Sequence, residues 1–322
     1  METAQTADMT RHWVGYPHRP GNQQTLNVKF NDDDAGPVGL TSRVALWQYS
    51  PGASTAGPQK RPRILLIHGF RGDHHGMQLI VDALPEFEVF VPDLPGFGKT
   101  SPLVDAQGSR VEHTVARYAG FVGALAQQLD LNEHDVLMGH SFGTIVTAAH
   151  TAQNPQAWAK LVLTAPISNH IFRGRLLAGA AVVELYYTIS RLLPESAGNA
   201  FLRSRTVLKI TNLTMRAERD PRVTEYVRDQ HAQHFGGYSD RQTLLEAYAA
   251  SSRHTVLDYA ADLQLPVLLL PGSGDQLSTE AGRRALRDAL PQGKLEVIRG
   301  AGHLVHYEKP AQIARAIRRW VS

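Results

Sequence analysis

Three side chains in this sequence could act together on a carbonyl group: Ser141, Asp275 and His303. Ser141 sits in Gly139-His140-Ser141-Phe142-Gly143, a G-x-S-x-G pattern between the apolar run DVLMG and the helical pattern GTIVTAAHTAQ. A serine there stands in a sharp strand-to-helix turn, and glycines on both flanks let strand and helix pass close by. The N-terminus of the following helix also favours developing negative charge. A serine hydroxyl is a weak nucleophile at neutral pH unless a base takes its proton and a third group holds that base in the useful tautomer. Asp275 follows the apolar run PVLLL in PGSGDQL, and His303 follows KLEVI in the glycine-flanked RGAGHLVHYEKP, so both fall at strand ends. His306 lacks that glycine setting, and the TAPISNH loop offers no carboxylate to replace Asp275. The competing role for Asp275 is to cap the helix that follows it.

Serine attack turns a carbonyl into an oxyanion, which needs two preorganised N–H donors. One is expected from the backbone of Phe142, directly after the nucleophile. The other is expected from the backbone of Phe70, in the turn His68-Gly69-Phe70-Arg71-Gly72 that follows RILLIH. His68 and His140 are expected to brace these turns by hydrogen bonds, and Asp93 to organise the PGFG turn. The cluster Asp73-His74-His75 has adjacent histidines rather than the i, i+4 spacing of a helical zinc site, so no metal and no cofactor are expected.

Short apolar runs alternate with helical patterns over most of the chain. The runs are Arg63–His68, Phe87–Pro92, Asp135–Gly139, Lys160–Thr164, Pro266–Leu270 and Lys294–Ile298, and their unbroken apolarity marks strands covered on both faces. Helices are expected at His113–Asp130, Phe142–Gln153, Thr279–Leu290 and Pro310–Trp320. Before them, Gln24–Phe30 and Arg43–Tyr49 flank the turn-rich NDDDAGP and read as an antiparallel pair. The alternation breaks once, where four helical patterns replace strands at Ile171–Leu193, Ala200–Ala217, Val223–Phe235 and Arg241–His254. The expected organisation is an N-terminal lead over 1–23, a core over 24–164 and 261–322, and a helical insertion over 165–260.

IHGF at 67–70, PDLPGFGKT at 92–100, GHSFGT at 139–144, PGSGDQL at 271–277 and GAGHLVHYEKP at 300–310 together resemble the α/β-hydrolase superfamily in its capped, serine-nucleophile branch. The order Ser141, Asp275, His303 is that of the superfamily. The resemblance spans about Arg63 to Trp320. It implies a mostly parallel eight-stranded sheet with flanking helices and an inserted helical cap, and catalysis by that triad. A serine rather than an aspartate at the elbow disfavours dehalogenase and epoxide hydrolase chemistry. The reaction it implies is hydrolysis of a small or moderate hydrophobic carboxylic ester through an acyl-enzyme. Alternatives on the same scaffold are a C–C bond hydrolase of meta-cleavage type, a lactonase, or a non-catalytic ligand receptor. Leu176, Leu177, Val183 and Tyr187 recur at helical spacing in the insertion and are expected to roof a pocket floored by Phe70 and Phe142.

Composition bounds the remaining possibilities. Lys plus Arg number 33 and Asp plus Glu 30 in 322 residues, a net charge of +3, which disfavours an electrostatically driven nucleic-acid binder. The basic residues Arg173, Arg175, Arg203 and Arg205 read as a solvated face. Hydrophobic residues at 43% fit an ordinary globule, and the absence of cysteine excludes disulfides, Cys-ligated zinc and a cysteine nucleophile. Leu176–Leu193 is long and apolar enough to be considered as a membrane span, but Glu184 in its middle makes stable insertion unfavourable. The N-terminal stretch shows no secretory apolar core, so a cytoplasmic location and a small-molecule substrate are expected.

Overall fold

Consecutive residues of an extended strand point to opposite faces, so a strand apolar at every position needs cover on both sides. The computed structural model, which describes residues 18–32, 36–52, 61–172, 177–204 and 215–321, provides that cover. The sheet has eight strands in the order β1-β2-β4-β3-β5-β6-β7-β8, where β1 is Asn22–Asp32, β2 Gly36–Tyr49, β3 Ile64–Ile67, β4 Val89–Pro92, β5 Val136–His140, β6 Lys160–Thr164, β7 Val267–Leu270 and β8 Gly293–Leu295. β1 pairs with β2 and β2 with β4 antiparallel, and all the other neighbours are parallel. Alternate side chains sort into two cores. Leu65, Ile67, Leu137, Leu161, Leu163 and Leu269 pack against helices α2 (Val115–Gln128) and α3 (Phe142–Gln153). Ile64, Leu66, Val136, Met138, Val162 and Leu268 face α1 (His74–Ala83) and, at the chain's end, a helix over Pro310–Val321.

Three elements depart from expectation. α1 carries no strong sequence signal, because it opens on two histidines. Its start is set by Asp73, whose carboxylate accepts from the His75 N–H at 2.9 Å. β8 stops at Leu295 rather than Ile298, since this edge strand has only one neighbour; Ile298 rejoins the sheet by a single bridge to Gly272. The helix expected from Ala200 instead starts at Glu195 and ends at Leu202; residues 205–214 of the expected span lie outside the described residues, as do Arg173, Arg175, Leu176, Arg205 and the first seventeen residues of the lead.

Between β6 and β7 run α4 (Leu177–Leu192), α5 (Glu195–Leu202), α6 (Pro221–His234) and α7 (Arg241–Arg253). α6 begins with Pro221, whose missing N–H costs nothing there, after an Asp220 cap; α7 begins after Asp240, which accepts from Thr243 N–H at 2.8 Å. α4 carries apolar residues on several sides but, among the described residues, has partners on one side only. Tyr187 is buried, while Leu177 and Val183 are 49% and 43% exposed on the outer face. The expectation that these two roof a pocket is therefore incorrect, because helical spacing does not say which side of such a helix finds a neighbour. No helix among the described residues is long and apolar enough to cross a membrane. After β7 come α8 (Glu280–Ala289), α9 (Val305–Glu308) and α10 (Pro310–Val321).

Candidate active site

Ser141 lies at the turn from β5 into α3 with φ +52° and ψ −119°, a backbone state that costs a non-glycine residue about 1–3 kcal/mol. The turn is held by Ser141 N–H donating to Thr164 O at 3.0 Å and Thr144 N–H donating to Ser141 O at 2.8 Å. A Cβ on Gly139 would collide with the Gly143 carbonyl and the Thr147 hydroxyl, and one on Gly143 with the carbonyls of Ile67 and His68. Both glycines of the motif are thus needed for α3 to cross β5 and β3.

Ser141 Oγ is 2.8 Å from His303 Nε2, and His303 Nδ1 is 3.1 Å from both oxygens of Asp275. With Nδ1–H donating to the carboxylate, Nε2 keeps the lone pair that accepts the serine proton. His303 and Asp275 are buried, whereas Ser141 is partly open to solvent. The two loops lock together: Gly274 N–H donates to Ala301 O at 2.8 Å, and a Cβ on Gly272 would strike the carbonyls of Ala301 and Gly302. Leu277 N–H donates to Asp275 Oδ1 at 2.9 Å. α8 is capped by Thr279 instead, accepting from Gly282 N–H at 3.2 Å, so Asp275 is not its cap.

The turn carrying Phe70 abuts the nucleophile, since a Cβ on Gly69 would lie 3.0 Å from Ser141 Cβ. His68 braces it from below. Its Nε2 accepts from Leu94 N–H at 2.8 Å, which leaves Nδ1–H to donate to Gly69 O at 2.8 Å, and burial lowers the pKa of this imidazole. His140 Nδ1 bonds Thr164 Oγ1 at 3.2 Å; burial holds it and its ring neighbour His306 well below the ordinary imidazole range, so both stay neutral beside His303. Asp93 organises the PGFG turn as expected, accepting from His74 N–H at 2.8 Å and Lys99 N–H at 2.9 Å.

Above the turn, the Phe70 ring meets Tyr187 of α4 at 6.1 Å and Tyr248 of α7 at 6.2 Å, and these two tyrosines stack at 3.9 Å. Phe142 does not floor a pocket. Its ring is buried in the core, edge-on to Tyr118 at 5.5 Å, because the first turn of α3 points it away from the site. A groove of about 860 Å³ between β1, α2 and α3 contains none of these groups.

The sequence pattern of the alpha/beta hydrolase fold family matches residues 62–310. The chain belongs to that family. It is 26% identical over 271 residues to monoacylglycerol lipase ABHD6 of Homo sapiens, covering 81% of this chain and 75% of that protein. It is 24% identical to monoacylglycerol lipase abhd6-B of Xenopus laevis, over 82% of this chain and 77% of that one. Among solved structures it is similar to a thermophilic esterase from Thermogutta terrifontis, with TM-score 0.67, 23% identity, and 92% and 97% of the two chains covered.

Two residues of this α/β hydrolase were not singled out from sequence. Glu308 is buried and accepts from Gly302 N–H at 2.9 Å, Glu218 N–H at 2.8 Å and Ala217 N–H at 3.3 Å, tying the His303 loop to the segment of the insertion just before α6. Burial raises its carboxyl pKa, against the pull of those three N–H groups. Arg71 is the other, and its partners lie in the insertion. The ligand atoms of Asp73, His74 and His75 come within 4.8 Å of one another, a donor set suited in kind to a divalent metal. The rings form a column: Trp47 stacks on His74 at 3.2 Å, His74 and His75 meet at 3.8 Å with a 40° tilt, and His75 stacks on His234 of α6 at 3.7 Å. Nδ1 of His74 and of His75 face different carboxylates, Asp93 and Asp73, at 3.0 Å each. The column serves as packing between core and insertion, with Asp73 pushed down to about 2: burial opposes ionisation most, and the His75 hydrogen bond together with the charges of His75, His74 and His234 outweighs it.

Proposed function

We propose that this α/β hydrolase cleaves small or moderate hydrophobic carboxylic esters through an acyl-enzyme formed on Ser141. The carrying observation is the hydrogen-bonded chain from Ser141 Oγ through His303 to Asp275. His303 Nε2 takes the hydroxyl proton as Oγ attacks the ester carbonyl. Asp275 holds the ring and stabilises the imidazolium that forms. The backbone N–H groups of Phe70 and Phe142 receive the oxyanion. As the tetrahedral adduct collapses, the proton passes from Nε2 to the departing alcohol. Water then repeats the sequence on the acyl-enzyme and releases the acid.

The relatives named as monoacylglycerol lipases support an ester over a C–C bond or lactone, and the aromatic wall of Phe70, Tyr187 and Tyr248 supports an apolar acyl group. Such a wall gains up to about 0.8 kcal/mol for each methylene it buries. The test is a panel of p-nitrophenyl esters, monoacylglycerols, lactones and ring-cleavage dienoates, with a serine-directed phosphonate. Esters are expected to turn over, and Ser141→Ala is expected to abolish both turnover and phosphonate labelling while the fold is kept. Activity of a folded Ser141→Ala within tenfold of wild type would sink the assignment.

A further inference from the structure

Arg71 occupies a place where its residue type is unfavourable. It is the third residue of the turn closed by Gly72 N–H donating to Gly69 O at 3.1 Å, and its φ of +57° is one that glycine or asparagine adopts more readily. Its guanidinium is also 4% exposed, and a buried cation needs compensation. Among the described residues it comes from main-chain carbonyls, ring faces and the hydroxyls of Tyr186 and Tyr187 on α4, not from a carboxylate. Nη2 donates to Leu202 O at 2.8 Å and Nε to Phe235 O at 3.4 Å, and the group lies 4.2 Å from the Phe235 ring centroid and 5.7 Å from that of Tyr238. Leu202 is the last residue of α5, and Phe235 directly follows α6. Both carbonyls are at helix C-termini, where unpaired oxygens and the helix dipole concentrate negative charge. One side chain of the turn beside Ser141 thus closes two helix ends of the insertion.

We propose that Arg71 is a positioning residue that couples the insertion to the oxyanion turn: the ends of α5 and α6 hold the guanidinium, and the guanidinium holds the Phe70 N–H at the place the oxyanion will occupy. The turn then keeps its catalytic geometry only while the insertion sits over it. The idea rests on the ester-hydrolase reading of Ser141. Arg71→Gly is the informative variant, because glycine suits φ +57° and removes only the anchor. A purely local role for the backbone predicts that it is neutral.

In folded protein, Arg71→Gly is expected to lower kcat on a short p-nitrophenyl ester about 100-fold, as loss of one oxyanion donor does, while KM changes less than about threefold. Arg71→Lys, which keeps the charge but cannot reach both carbonyls, should fall between the two. Phe235→Leu should lose less than Arg71→Gly, and the double variant should be no worse than Arg71→Gly alone. Hydrogen exchange should rise together at residues 69–72 and at the last turns of α5 and α6. A kcat for Arg71→Gly within about threefold of wild type, or exchange rising in the insertion alone, overturns the coupling. Should the wild type hydrolyse no ester, the reading of Ser141 falls, and the exchange measurement still decides whether Arg71 links turn and insertion.

Discussion

Strand β3 buries all four of its apolar side chains, whereas α4, which carries three leucines and two valines, leaves Val182, Leu185 and Leu192 in solvent, the last 75% exposed. β3 lies between two layers of helices. α4 has the Phe70 turn and α7 on one side and, among the described residues, no protein layer on the other. The strand ends hold Ser141, Asp275 and His303, and α4 reaches the Phe70 turn through Tyr187 and Tyr186. On the proposed reaction, bond-breaking geometry would belong to the sheet and selection of the acyl group to the insertion.

That division can be attacked first at the sheet edge. His303→Ala is expected to lower kcat by about 10⁶-fold and Asp275→Asn by about 10⁴-fold, the losses known for such triads, with melting temperatures close to wild type. A near-neutral Asp275→Asn would mean that another carboxylate orients His303. The next effect is thermodynamic: Leu65→Ala should cost about 2–5 kcal/mol in urea unfolding. Tyr187→Ala should shift the acyl-chain optimum measured on esters of two to eight carbons while phosphonate labelling of Ser141 persists; an unchanged profile would show that the insertion does not select.

Glu246 of α7 tests the seam between the two regions. It accepts from Arg110 and from His113 N–H at 3.0 Å, and its pKa is lowered to about 2, the hydrogen bonds from His113 and Arg110 overcoming desolvation. A carboxylate whose folded pKa is depressed adds stability above its unfolded pKa of 4.5 and loses it as pH falls through about 2. Glu246→Gln should therefore melt lower than wild type at pH 7, with the gap closing as pH falls from 5 toward 2. The smallest effect is expected on the outer face of α4, where Leu192→Ser should change stability by no more than about 0.5 kcal/mol.

What could be read from sequence follows the same division. Ser141 and Asp275 were legible because each sits beside a glycine-marked turn at the end of an unbroken apolar strand, and His303 because glycines flank it in the loop RGAGHLVHYEKP. β3, β5, β6 and β7 were legible because burial on both faces demands apolarity at every position. β8 was blurred because an edge strand is buried on neither face, and Leu177 and Val183 were misplaced because nothing local distinguishes the two sides of α4. Arg71 could not be read at all: its carbonyl partners lie 131 and 164 residues away and are backbone atoms, which leave no mark in residue type.

The hydrogen bond between Ser141 and His303 closes 162 residues of chain. Contacts of such separation form only after the loop they close has lost its entropy, whereas individual helices form within microseconds. β5, β6, β7 and β8 must all be aligned before His303 can reach the serine, and Glu308 must also capture the segment before α6. On refolding from denaturant, helical signal is therefore expected to return early and hydrolytic activity last, with Ser141 left without its histidine through most of folding.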